Sequence, residues 1–340
     1  SALPFAGGSY GIARVTLGIY VGCIVAYIDC AESVIYVATS TYLLGEMVTL
    51  ITGTPSSYEP LYWLIFFVVS ISIHTAGGLT FWRLNRALAA VSILLVLIYI
   101  FGSIHRADFE EYALVPSAGP EAKWFQGGWM EFMRILPVPG LFFVGVESIN
   151  LACKDVAAPK TRVPHAYVAC IATLVLACFG VLFTAASLPP GILALQHELT
   201  PLSAGFQALF RVPARVAVLF SLPATYATAS GFMFCFGRQL RAMGRSGLAN
   251  PLLGESTPSS KTPFYALMAG SVVALALCFL VHYQTLVRTQ LFNLCMMCAV
   301  ASYFTQFASF VILRTKFATI RREFVSPLGM GGAAYGCGVF

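Results

Sequence analysis

Residues 137–164 read PVPGLFFVGVESINLACKDVAAPKTRVP. Pro137, Pro139 and Gly140 lead into an apolar run, and Gly145 stands just ahead of an acidic residue, Glu147. Proline withdraws a backbone donor and glycine weakens a helix. The stretch therefore predicts a helix that breaks partway along its length. Inside a bilayer, broken backbone is tolerated only where protein buries it or where it lines a cavity. The freed N–H and C=O groups can then hold a solute's carboxylate or amine. The plainer reading, a proline kink with Glu147 bonded to a neighbouring helix, stays open on these residues alone.

The rest of the chain places this break in a membrane. Hydrophobic residues make up 58% of the 340 and charged residues 10%, against roughly 25% charged in ordinary soluble domains. A helix needs ~20 apolar residues to cross a bilayer. Runs near 11–46, 61–81, 87–105, 132–153, 164–188, 213–243, 263–282 and 290–313 are read as such spans, and another begins near Leu328 and runs to Phe340. The expected fold class is all-α, a polytopic transmembrane helix bundle forming a single domain over residues 1–340.

Charge placement orients that bundle. Numbering the connections alternately puts Arg14, Arg83, Arg86, Lys154, Lys160, Arg162, Arg238, Arg241, Arg245, Lys261, Arg314, Lys316, Arg321 and Arg322 on one side, 14 of the 20 basic residues. The other side holds Arg106, Lys123, Arg134, Arg211, Arg215 and Arg288, with Asp108, Glu110, Glu111, Glu121, Glu131 and Glu198 among them. By the positive-inside rule the first side faces the cytoplasm. The net charge of +6 is thus a topology signal. A nucleic-acid partner would need a basic patch on a soluble face, and none is present in the sequence.

Two further carboxylates, Asp29 and Glu32, lie one helical turn apart in the middle of the first apolar stretch. An ionisable group at the centre of a span costs ~2.5–3.5 kcal/mol on insertion scales. Such a pair reads as a polar lining that recognises an ammonium group or carries a proton. Pairing with a residue on another helix is the structural alternative, and both stay open. Other polar residues read as inert: Glu46 as interfacial, His74 as hydrogen-bonded packing, Gly77-Gly78 as a close helix contact, and residues 105–129 as an external loop.

Enzyme chemistry finds no support. The histidines at 74, 105, 165, 197 and 282 form no H-E-x-x-H. Cys295 and Cys298 make a C-x-x-C with no nearby His or second pair, which zinc would require. The remaining cysteines, such as Cys23, Cys30, Cys170, Cys178 and Cys278, lie in apolar spans and read as small packing residues. No cofactor or metal is expected.

The opening stretch resembles the sixth helix of the amino acid–polyamine–organocation transporter superfamily, whose pattern is F-x-G-x-E, an acidic residue and then N-P-x-R-x-x-P. Phe143, Gly145, Glu147, Asp155, Pro159, Arg162 and Pro164 match it, while Lys154 and Ala158 depart from it in the loop. Pro4 to Tyr10, PFAGGSY, resembles the P-x-x-G-G-x-Y lead-in to the third helix. Residues 231–251 resemble the eighth helix with its basic loop, and Arg322 to Gly329 the entry to the eleventh. Asp29 and the CAESVIYVA context of Glu32 look most like the ethanolamine-permease subgroup.

This resemblance implies a partial leucine-transporter-like, inverted-repeat fold with a broken sixth helix. It further implies a fragment covering family helices three to ten and the start of eleven. Leu141, Phe143, Val144 and Gly145 would expose backbone to substrate. Phe232 would be an aromatic gate, able to stack on a cation at ~0.5–2 kcal/mol. Glu147 would couple or gate, with Asp29 and Glu32 beside it. The implied activity is alternating-access transport of amino acids or small organic amines across a plasma membrane bilayer. Proton symport or exchange is expected ahead of sodium coupling. The rival readings are a non-transporting sensor on the same scaffold and an inactive gene fragment.

Overall fold

The computed structural model describes residues 5, 7–113, 128–135, 138–195, 200–258, 261–320 and 322–339. Within them the secondary structure is helical and contains no strand. In chain order the α-helices are α1 (Ser9–Thr16), α2 (Ile19–Thr52), α3 (Glu59–Ala76), α4 (Gly78–Ser103), α5 (Phe109–Tyr112), α6 (Gly128–Ile135) and α7 (Pro159–Ala186). They continue with α8 (Ile192–Leu195), α9 (Pro201–Phe210), α10 (Ala214–Leu219), α11 (Leu222–Arg245), α12 (Phe264–Tyr283), α13 (Thr285–Thr315) and α14 (Gly329–Val339). Between α6 and α7 the chain runs as two 3-10 segments, Val138–Phe143 and Val146–Asp155.

Seven helical stretches among the described residues are long and apolar enough to cross a membrane. The protein is thus an all-α, polytopic membrane bundle. Several apolar runs of the sequence do not become single helices. The run near 11–46 is divided at Leu17–Gly18, where Gly18 adopts φ 97° between α1 and α2. The run near 213–243 is divided at Phe220–Ser221, between α10 and α11. Among the described residues the run near 132–153 contains no long α-helix, and the last run yields the 11 residues of α14.

The long α2 is the hub. Its 34 residues rise about 50 Å at ~1.5 Å per residue, and it packs against α11, α13, α1, α12 and α3. Its buried side is built from small or branched side chains such as Gly22, Val25, Ala26, Val34, Val37 and Ala38. Small residues let membrane helices approach closely. At Gly45 the approach is extreme, because a Cβ there would stand 2.3 Å from the indole nitrogen of fully buried Trp63 on α3. By contrast α4 and α7 show most of their large apolar side chains outward, including Leu94, Phe101, Leu176 and Phe183. Both are strongly apolar, which suits a lipid-facing position.

Local chemistry explains the turns. Gly77 (φ 59°) and Gly78 (φ 53°) take the left-handed conformation that reverses the chain between α3 and α4. Space around Gly78 is open, so its role is in the turn, whereas Gly77 is buried. His74 is buried packing, its Nε2 lying 3.1 Å from the Ser230 carbonyl. Glu46 is partly exposed and has a cationic neighbour. It lies 3.5 Å from Arg288, whose guanidinium also sits over the Tyr42 ring. Beside it Glu59, on α3, faces His282 of α12 at 3.3 Å.

Candidate functional site

The helix break is set by backbone chemistry. Pro139 and Gly140 lie in the first 3-10 segment, and Val144–Gly145 form the turn that separates it from the second. Gly145 has φ 98° and ψ −13°, a left-handed conformation that glycine adopts at little cost. Its N–H donates to both carboxylate oxygens of Glu147, at 3.0 and 3.1 Å. Its carbonyl accepts from the Ser148 hydroxyl at 2.5 Å and from the Ser148 N–H at 3.1 Å. A residue two positions on thus satisfies the donor that the break frees, as a polar group in lipid requires.

Neighbouring helices fix Glu147 from two further directions. The Tyr303 hydroxyl, on α13, lies 3.0 Å from its Oε2 and 3.2 Å from the Phe143 carbonyl. The Tyr167 hydroxyl, on α7, donates to its backbone carbonyl at 2.9 Å. Opposite, Asp29 on α2 accepts from the hydroxyls of Ser9, at the start of α1, and Ser302 on α13. Glu32, one turn on, is 2% exposed, and its Oε1 has no hydrogen-bond partner among the described residues. Asp29 Oδ1 and Gln239 Nε2 are likewise buried without one.

Asp29, Glu32 and Glu147 all line one cavity of about 20 Å³, with Gln239 on its wall. That volume holds a single water molecule and is far below the roughly 300–1,000 Å³ of a small-molecule pocket. Among the described residues no Lys or Arg pairs with any of the three. Nor do any three His, Cys, Asp or Glu side chains group so as to hold a metal ion.

The other expected residues line a different space. Val144, Gly145 and Phe232 border a cavity of about 490 Å³ beside the break, together with Phe81, Trp82 and Asn85 of α4. Phe232, on α11, lies face to face with Tyr36 of α2, the ring centroids 4.3 Å apart. Its ring edge would meet a Gly145 Cβ at 3.2 Å, a tight contact added to the demand of conformation. Ser148 and Cys235 border both cavities and form the wall between them. Phe143 contributes its carbonyl, bonded to Tyr303, and borders neither. Leu141 lies in the first 3-10 segment, but its side chain is outside the described part, as are Pro4, Ala6, Pro137 and most of the external loop.

Sequence reading missed Tyr36, Tyr303, Ser9, Ser302 and Gln239. Only Tyr36 carried a local signal. It follows Glu32 by four residues and Asp29 by seven, which places all three on one helical face. The others reach the site by tertiary packing.

A polytopic helical bundle with a backbone break at mid-chain, and an acidic cavity beside it with no cationic partner among the described residues, belong to the class of polytopic membrane proteins. Comparison with protein families agrees with that class. The amino acid permease family model matches residues 1–337, and the chain belongs to that family. It is accordingly an integral, multi-pass membrane transporter of amino acids or amines, and carries out no enzymatic chemistry.

Proposed function

We propose that the protein is a secondary active transporter that moves an amino acid or a small organic amine by alternating access, coupled to protons or to exchange. The observation that carries this reading is the trio Asp29, Glu32 and Glu147 around a water-sized cavity at the broken backbone. Leaving carboxylates ionised, unpaired and out of water costs several kcal/mol each. Protons or a small cation must therefore balance the cluster, and the cavity's size favours the proton over a whole amine. Substrate belongs in the larger neighbouring cavity, against the backbone of Val144 and Gly145, with the Phe232–Tyr36 pair as an aromatic closure. The sequence around Glu32 favours ethanolamine or a similar short amine, and the plasma membrane is the expected site of action.

Uptake into proteoliposomes tests this. Labelled amino acids and ethanolamine should enter, and entry should rise when the outside is made more acidic than the inside. Glu147→Gln should abolish the gradient-driven component, because an amide can neither release a proton nor accept from Gly145 and Tyr303 with two oxygens. Asp29→Asn and Glu32→Gln should shift the preference among cationic substrates. A correctly folded protein that takes up none of these solutes would make it a sensor on a transporter scaffold. Unchanged coupling in Glu147→Gln would remove that residue from the mechanism.

A further inference from the structure

We infer that a third cavity, at the basic end of the bundle, binds a phosphate group. It measures about 390 Å³, large enough for a phosphomonoester or a lipid headgroup. Five cationic side chains border it: Arg14 of α1, Lys154 of the second 3-10 segment, and Arg238, Arg241 and Arg245 of α11. The three arginines of α11 are spaced three and four residues apart, so they share one helical face. Among the described residues a single carboxylate, Asp155, pairs with any of the five, and it pairs with Arg238. The cavity thus keeps an excess of four positive charges.

The guanidinium groups are positioned as well as concentrated. Arg238 donates to the Leu151 carbonyl at 3.2 Å, and Arg245 Nε to the Gly254 carbonyl at 3.1 Å. Each anchor uses one donor of a planar group that has five. Arg241 Nε is buried and has no hydrogen-bond partner among the described residues. On the same wall the Tyr10 and Ser246 hydroxyls lie 2.9 Å apart and turn to the Ala242 carbonyl, which leaves recognition of an anion to the cations. A bias toward basic residues on one side of the membrane predicts cations on loops in water. It does not predict three from one helix face gathered, with two from other segments, around one open cleft. A tetrahedral anion meets this demand, since arginine forks match phosphate oxygens in pairs.

The shared chemistry is the phosphate group, and two probes separate its sources. Purified protein is titrated with inorganic phosphate against chloride at equal ionic strength, and separately reconstituted in nanodiscs of phosphatidic acid or of phosphatidylcholine. Thermal unfolding is read in each case. Stabilisation by inorganic phosphate supports a soluble anion, and stabilisation only by phosphatidic acid supports a headgroup. Either response should weaken at least about tenfold in apparent affinity in Arg241→Gln, the loss expected for a charge-assisted bond. Arg14→Gln, which alters an exposed side chain on another helix, should weaken it too and guards against a folding defect in the first variant. No response to either probe, or equal responses in wild type and both variants, would overturn the inference.

Discussion

Tyr303 shows how much of the site depends on one hydroxyl. It reaches from α13 to both the Glu147 carboxylate and the Phe143 carbonyl, on either side of the break. Tyr303→Phe keeps the ring and deletes the donor. A hydrogen bond to a charged group is worth about 1.5–3 kcal/mol, so proton-gradient-driven uptake should fall roughly tenfold or more. Half-saturation for substrate should change little, because Val144, Gly145 and Phe232 are untouched. Parallel uptake assays at equal and unequal pH check this, and an unaltered response to the gradient would show that Tyr303 is only a packing residue. The candidate site is half legible at this scale. Asp29, Glu32 and Glu147 stand out because charge is costly in an apolar run. Tyr303, Ser302 and Gln239 carry no such signal, because an uncharged polar side chain in a membrane helix says nothing of what it will meet.

Among the elements, the contact between α2 and α3 is the tightest test of packing. A methyl group at Gly45 would overlap the Trp63 indole, which has nowhere to move. Gly45→Ala should therefore destabilise the bundle by about 1–3 kcal/mol, as overpacked cores do. Gly231→Ala is the matched control, because nothing lies within 4 Å of its added carbon. There the helix should gain up to about 1 kcal/mol from the better propensity of alanine. Chemical unfolding in detergent should move in opposite directions for the two variants, and a shared direction would refute the packing argument. Element legibility follows the same physics. The break near Gly145 is readable because proline and glycine act on the backbone locally. The divisions at Leu17–Gly18 and Phe220–Ser221 carry marks of the same kind, Gly18 with φ 97° and Pro223 in the first turn of α11, but a reading by hydropathy passes over them because each lies within a longer apolar run.

For the whole molecule, the charge asymmetry makes a claim about sidedness. The segment Ile104–Tyr112 should lie outside and the loop after α11 inside. A glycosylation acceptor introduced near Asp108 should be modified in microsomal membranes, while one near Leu248 should remain bare. The reverse pattern would invert the bundle. The all-α class and the membrane setting are legible from hydropathy alone. What hydropathy cannot supply is the arrangement of chambers around the break, because it depends on which helices meet there. Ser148 and Cys235 are the partition between those chambers, and the Ser148 hydroxyl is tied to the carbonyl of Gly145. Any rotation of that one peptide unit must therefore reshape both compartments in the same stroke, which makes the linkage between them a matter of shared masonry and removes the need for a signal relayed over distance.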